Sequence, residues 1–167
     1  MKIDRAAADR VLTHGETAAL VQAARTAGRT IVFTNGVFDI LHPGHVRYLQ
    51  AARALGDLLI VGLNGDESVR RNKGPARPIT PELERGELLA SLACVDAVVI
   101  FHEETPDAII RLVQPDILVK GADWPADQIV GRDTVEARGG RVVRMKVEEG
   151  FSTSAIVERI KGAGAVK

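Results

Sequence analysis

His42-Pro43-Gly44-His45 places two imidazoles on either side of a Pro-Gly pair, at the end of the stretch FTNGVFDILHPGH, residues 33–45. A hydrophobic core has no use for two histidines, two glycines, an asparagine and an aspartate in so short a span, whereas a phosphate site does. Pro43 suits the first position of a helix, where its missing N–H would have had no partner anyway. Gly44 leaves room above the helix mouth, where free amides and the helix dipole favour an anion. Two imidazoles beside those amides, with no carboxylate at the helix end, suit a phosphate that gains negative charge. Two other readings stay open on spacing alone: a pair of surface histidines at a turn, and a zinc pair. For zinc, only His14 and His102 remain as further histidines, and the single cysteine, Cys94, forms no Cys pair. The common nucleotide strings, GxxxxGK[ST] and GxGxxG after a strand, are absent.

The elements that must hold these groups are legible as an alternation. TIVFTN (30–35), DLLIVGLN (57–64), VDAVVIF (95–101), PDILVK (115–120) and RVVRMKV (141–147) are mostly continuous apolar runs, as expected of parallel strands covered on both faces. Helical patterns lie between them. Residues 16–27 follow the capping-box spacing Thr13…Glu16 and stop at Gly28. Residues 44–55 carry Val46, Leu49, Ala52 and Leu55 at helical spacing and close at Gly56. Thr80-Pro81 and Thr105-Pro106 each read as an N-cap followed by Pro at the first helical position, and Ser152 opens a last helix. The pattern predicts an α/β fold: a Rossmann-like open parallel sheet with helices on both faces, which binds ligands beyond the carboxyl ends of its strands. The opening stretch lies at such an end. Residues 1–167 read as one domain, with residues 1–27 a helical extension packed outside the sheet.

Composition narrows the partners. Lys+Arg and Asp+Glu are equal at 22 each, so no broad attraction to nucleic acid or an anionic membrane is expected, and anion binding must be local. Aromatic residues at 4% also argue against a nucleic-acid surface. No apolar run is long enough to span a bilayer, and MKIDRAAADRV has no signal-peptide core. Cys94, in the apolar run LACVDAVVIF, reads as a small buried core residue, and the chain is expected in the reducing cytoplasm.

These residues also carry a resemblance. His42-Pro43-Gly44-His45 matches the HxGH signature of the nucleotidyltransferase superfamily that includes the cytidylyltransferases. The longer string Thr34 to His45 resembles the D-glycero-β-D-manno-heptose 1-phosphate adenylyltransferases, free-standing or as the C-terminal half of a heptokinase/adenylyltransferase. The likeness continues through Val61 to Asp66, Lys73 to Ile79, Leu118 to Trp124 and Gly150 to Ser154, covering roughly residues 28–161. The sugar kinase half is absent from so short a chain. Glu148 and Glu149 stand where the cytidylyltransferases carry an arginine, a departure that suits the heptose-type pattern.

The resemblance implies roles. His42, His45 and Lys73 would be catalytic. Phe33, Thr34 and Asn35 at the end of the first strand, with Gly44 and His45, would bind the nucleotide. Lys120, Gly121 and Asp123 after the fourth strand, and Gly150, Ser152 and Thr153 before the last helix, would complete that site. Phe38, Asp39, Asn64, Asp66, Arg77 and Arg85 would face the sugar phosphate. Plainer readings remain for several: Asp66 as a turn or cap, Lys73 and Arg77 as a solvated basic loop, Arg85 as an exposed helix charge beside Glu82 and Glu84, and Ser152 as an ordinary N-cap. Arg70 and Arg71 read as surface charges, and Trp124 either stacks or shields. The implied reaction is attack of a sugar 1-phosphate on the α-phosphorus of ATP, with Mg2+ travelling on the triphosphate and no dedicated protein metal site. The implied assembly is a homodimer. A cytidylyltransferase acting on a small polyol phosphate such as glycerol 3-phosphate is the nearest rival, and a non-catalytic nucleotide-binding module is a more distant one.

Overall fold

In the computed structural model, which describes residues 7–122, 125, 128–146 and 150–163, six strands form one parallel sheet. They are β1 (Val11–Leu12), β2 (Ile31–Gly36), β3 (Leu58–Asn64), β4 (Ala97–Phe101), β5 (Ile117–Gly121) and β6 (Arg141–Met145), in the order β1-β4-β3-β2-β5-β6. The helices are α1 (His14–Thr26), α2 (Pro43–Arg53), α3 (Asp66–Lys73), α4 (Glu82–Ala90), α5 (Asp107–Val113), α6 (Arg132–Glu136) and α7 (Thr153–Ala163).

Alternate residues of each apolar strand feed two separate cores. Ile31 and Phe33 of β2 pack with Val21 of α1, Ile109 and Ile110 of α5 and Val135 of α6. Val32, on the other face of the same strand, packs with Leu49 and Ala52 of α2 and Leu89 and Ala90 of α4. Period-two alternation in a strand that is apolar at every position therefore produces helices on both faces. Close packing between neighbouring strands also fixes one glycine: a Cβ on Gly62 of β3 would stand 2.6 Å from the ring of Phe33 on β2.

The expected α/β architecture is present, with local corrections. Residues 11–12, expected within an external helical segment, form an edge strand parallel to β4, Val11 opposite Val98 and Leu12 opposite Val99. Leu12 enters the core and Val11 lies against Gly86 of α4; two residues are too few to leave a periodic signal. The Thr13 capping box is formed, Thr13 accepting from the Glu16 N–H and Glu16 from the Thr13 N–H, so α1 starts at His14. Thr80 and Thr105 do not cap. Pro81, at ψ 152°, is still extended, and α4 begins one residue later; Pro106 likewise precedes α5. Ser152 does cap α7, accepting from the Ala155 N–H at 3.1 Å. Cys94 is half-buried at the margin of a core rather than inside it. Val147, at the end of the fifth expected strand, lies outside the described residues.

The strand order locates the ligand edge. From β2 the chain moves outward through β3 to β4, then returns to the other side of β2 with β5. The switch point lies between β2 and β5, whose carboxyl ends present Asn35 and Lys120. Crevices at such points are where open α/β sheets bind ligands.

Candidate active site

His42 is the N-cap of α2. Its extended backbone (φ −141°, ψ 165°) turns the ring back so that Nδ1 accepts the His45 N–H at 3.3 Å. That bond puts the neutral ring's proton on Nε2, which becomes a donor directed away from the helix. One turn into the helix, His45 stacks on His42 with centroids 3.7 Å apart and an interplanar angle of 18°. Phe38 meets the other side of His45 edge-on at 5.1 Å, and Phe151 lies nearly parallel to His42 at 6.3 Å. Phe38 reaches this place with a positive φ of 45°, a costly backbone for a bulky residue, held where the ring is buried. Gly44 allows the assembly: a Cβ there would stand 3.0 Å from Phe151 Cβ and 3.1 Å from His42 Nδ1.

Burial lowers the pKa of both histidines. For His45 the drop reaches about 4, through desolvation first, then the His42 ring, with the nearby Ile40 carbonyl opposing and the Lys73 charge adding a little. His45 Nδ1 is buried with no hydrogen-bond partner. Both rings are therefore neutral at pH 7, and they act as hydrogen-bonding groups; the positive charge of the site comes from lysines. Lys73, the last residue of α3, is exposed yet near enough for its charge to act on His45. Lys120, at the switch point, donates to Asn35 Oδ1, and burial brings its pKa down to about 8.

Other expected contacts are arranged differently. Phe33 has a side chain with no exposure, packed in the core, so it offers the site only main-chain atoms. Thr34 is equally buried, its hydroxyl shared between Tyr48 of α2 at 2.8 Å and the Val119 carbonyl. Asp39 is buried and already bound: Arg77 Nε donates to it at 2.6 Å, and the Ile79 and Thr80 amides donate at 2.8 and 2.9 Å. Burial raises its pKa, but the two amides and Arg77 outweigh that and hold it below the ordinary value. Asn64 donates to Ser68. Asp66 is the first residue of α3 rather than its cap, and pairs with Arg85 at 2.7 Å. Arg85 is not an exposed helix charge; its side chain is wholly buried.

Gly150 (φ +89°), Ser152 and Thr153 lead into α7, and with Leu41, His42, Pro43, Phe151, Ala155, Ile156 and Arg159 some of them line a groove of about 360 Å³ beside the His42 ring. Thr153 touches the Ile40 carbonyl at 3.5 Å. Gly121 ends β5 beside Met145 of β6. Asp123 and Trp124 lie outside the described residues. A larger cleft, about 750 Å³, is lined by Asp66, Glu67, Glu82, Glu84 and His102; its carboxylates repel phosphate, so size is a poor guide here. His14 bonds the Ile100 carbonyl and His102 sits by Glu82, away from the stacked pair. Among the described residues no three His, Cys, Asp or Glu side chains converge as a metal site. Two aromatic neighbours of the site, Phe151 and Tyr48, are not among the residues given a role from the sequence. An aromatic residue just before the cap of the last helix is the available signal for Phe151; nothing in the sequence points to Tyr48.

A cytidylyltransferase-like family profile matches residues 33–159. The chain is 54% identical over 141 residues to the bifunctional protein HldE of Syntrophotalea carbinolica, covering 84% of this chain and 29% of that protein. It is 57% identical over 133 residues to the bifunctional protein HldE of Citrifermentans bemidjiense, covering 80% and 27%. The chain thus spans less than a third of the length of these curated relatives. The crystal structure of a lipopolysaccharide core biosynthesis protein from Thermoplasma volcanium superposes with a TM-score of 0.63 at 34% identity, covering 73% of this chain and all of that one. With the HxGH pair at the mouth of α2 and the matched profile spanning the sheet from β2 to α7, the chain belongs to the cytidylyltransferase-like family of nucleotidyltransferases.

Proposed function

We propose that this chain transfers AMP from ATP to D-glycero-β-D-manno-heptose 1-phosphate, giving ADP-heptose and pyrophosphate for lipopolysaccharide core synthesis. The observation that carries the reading is the stacked His42–His45 pair at the mouth of α2, with Lys73 close enough to act on it electrostatically. The sequence blocks shared with heptose 1-phosphate adenylyltransferases support the choice of substrate. So does the solved relative, described as a lipopolysaccharide core biosynthesis protein.

A phosphate oxygen of the sugar, already ionised at neutral pH, attacks the α-phosphorus in line. A new phosphorus–oxygen bond forms as the bond to the β-phosphate bridging oxygen breaks, and the electron pair leaves with pyrophosphate. No general base is required. The protein must hold two anions together and stabilise charge at the reacting phosphorus. His42 Nε2–H, the His45 ring and the Gly44 amide, left unbonded by the helix itself, donate to the α- and β-phosphate oxygens. Lys73 and Lys120 offset charge. Gly121, Gly150, Ser152 and Thr153, with Asp123, border the nucleotide, as does Asn35 at the switch point. Asn64 and Asp66 are assigned to the sugar-phosphate side on the family resemblance, Asp66 with its charge offset by Arg85. Phe38, Asp39 and Arg77 serve that side indirectly, Phe38 behind His45 and Asp39 by fastening the 77–80 loop. Magnesium enters as part of the MgATP substrate; the described groups around the stacked pair are imidazoles, ammonium groups and an amide rather than a carboxylate cage.

Among the described residues no helix is long and apolar enough to cross a membrane. We place the enzyme in the cytoplasm, with its ATP supply, and as a homodimer; the exposed Leu83 and Leu88 of α4 support a covered face. The deciding experiment is pyrophosphate release from a nucleotide panel with the β-heptose 1-phosphate. Turnover with ATP is expected. Turnover only with CTP, and with glycerol 3-phosphate as acceptor, would transfer the assignment to the polyol phosphate reaction. Nucleotide binding with no pyrophosphate from any pair would leave a binding module.

A further inference from the structure

The Arg85 side chain has no solvent exposure, and its donors reach four residues in three segments at the carboxyl edge of the sheet. Nη1 donates to the Val37 carbonyl at 2.6 Å, in the loop before His42, and to the Asn64 carbonyl at 2.9 Å, at the end of β3. Nε donates to the Thr80 carbonyl at 2.8 Å, and Nη2 to Asp66 Oδ1 at 2.7 Å, in the first turn of α3. A buried guanidinium is costly unless it is paired and its donors are used. Here the carboxylate supplies the countercharge, and three carbonyls take three of the four remaining N–H donors.

Two of these tethers lead toward reacting groups. Val37 precedes Phe38, whose ring backs His45 at 5.1 Å. Asp66 starts the eight-residue helix that ends at Lys73, so the position of its first turn is carried along a rigid rod. Thr80 is held from its other side as well, its N–H donating to Asp39. We propose that Arg85 is a positioning residue for nucleotidyl transfer: it touches neither substrate, and it fixes the β2–α2 loop and α3 so that His45 and Lys73 face the same phosphate. This rests on the transfer reaction proposed above. Lysine cannot replace it, because one ammonium cannot span three carbonyls and a carboxylate at once.

The test compares Arg85→Lys and Arg85→Ala with the unmodified chain in steady-state pyrophosphate release, with folding followed by near-UV circular dichroism. Small displacements of catalytic groups cost up to about 10²-fold in rate. We expect Arg85→Lys to fold and to lose about 10- to 100-fold in kcat, with KM for both substrates within about threefold. We expect added guanidinium ion to restore part of kcat in Arg85→Ala, while urea, a neutral molecule of similar shape, does not. If Arg85→Ala does not fold, Arg85→Lys decides. Unchanged kcat in a folded variant overturns the proposal. So does a loss confined to KM for the sugar phosphate, because that outcome places the guanidinium on the substrate. If the unmodified chain releases no pyrophosphate, the substrate assignment has failed, and the tethering is judged by the ring 15N resonances of His42 and His45. Those signals should move in Arg85→Lys, and signals that stay fixed overturn the tethering too.

Discussion

A stack of two imidazoles 3.7 Å apart tolerates two neutral rings far better than two charged ones, and the low pKa of His45, about 4, is partly the work of its neighbour. In the proposed reaction the pair would therefore meet a triphosphate as two hydrogen-bonding rings, oriented in advance by a helix cap and an aromatic edge. Loss of one transition-state donor of this kind commonly costs about 10²–10³-fold in turnover. His45→Ala should fall in that range. His42→Asn is the sharper probe, because asparagine keeps the capping acceptor while losing the stacked ring and its outward donor. Either variant with near-wild-type turnover at saturating MgATP would remove that ring from the mechanism. At this scale the spacing singled out the histidine pair, and the family resemblance gave it its implied role. The sequence hid the burial of Arg85 and Asp39, because an arginine flanked by glutamates on a helix looks solvated until the segments across from it are known. Carbonyls and amides supply most of the partners of both residues, and sequence does not show where a main chain will turn.

The mouth of α2 depends on an absent side chain. A methyl group at Gly44 would press on Phe151 Cβ at 3.0 Å and on the His42 ring at 3.1 and 3.2 Å. Both neighbours must give by some tenths of an ångström, and both belong to the site. Gly44→Ala should therefore keep its circular dichroism and melting behaviour close to wild type, since alanine favours helix, and still lose turnover by at least about tenfold. A fully active Gly44→Ala protein would show that the crowding carries no consequence. The strands from β2 to β6 are legible as apolar runs, and α1, α2 and α7 as capped periodic segments. Thr80 has the local look of a cap, yet its amide and carbonyl are taken by Asp39 and Arg85, long-range partners that outcompete local capping. β1 leaves no trace in the sequence because its stability comes wholly from β4 and the core beneath it.

For the molecule as a whole, buried ionisable groups tie stability to pH. Both histidines have folded pKa values below the ordinary 6.5, so below 6.5 the unfolded chain binds protons that the folded chain refuses, for His45 down to about 4. Their contribution is complete above 6.5 and declines as pH falls, for His45 down to about 4. A tenfold difference in proton affinity between the folded and unfolded chain is worth about 1.4 kcal/mol. Asp39, also lowered, adds a loss below its ordinary 3.8 as pH falls through its folded value. The urea midpoint should accordingly drop between pH 7 and pH 4, and drop less in His45→Gln. Equal slopes for the two proteins would remove His45 as a contributor. Strand order is not legible at this scale: five apolar runs with helices between them fit several doubly wound arrangements, and the return of β5 to the flank of β2 depends on how the layers pack.

The two rims of the sheet are both poor templates for another strand. On one side β1 offers only two residues, and on the other β6 turns exposed Arg141 and Arg144 outward. Short borders and cationic borders are the usual protections against strand addition and fibrous growth. Copies of this chain that meet in solution are thus channelled toward helix-to-helix contact, which keeps the sheet finite and its ligand edge free of neighbouring strands.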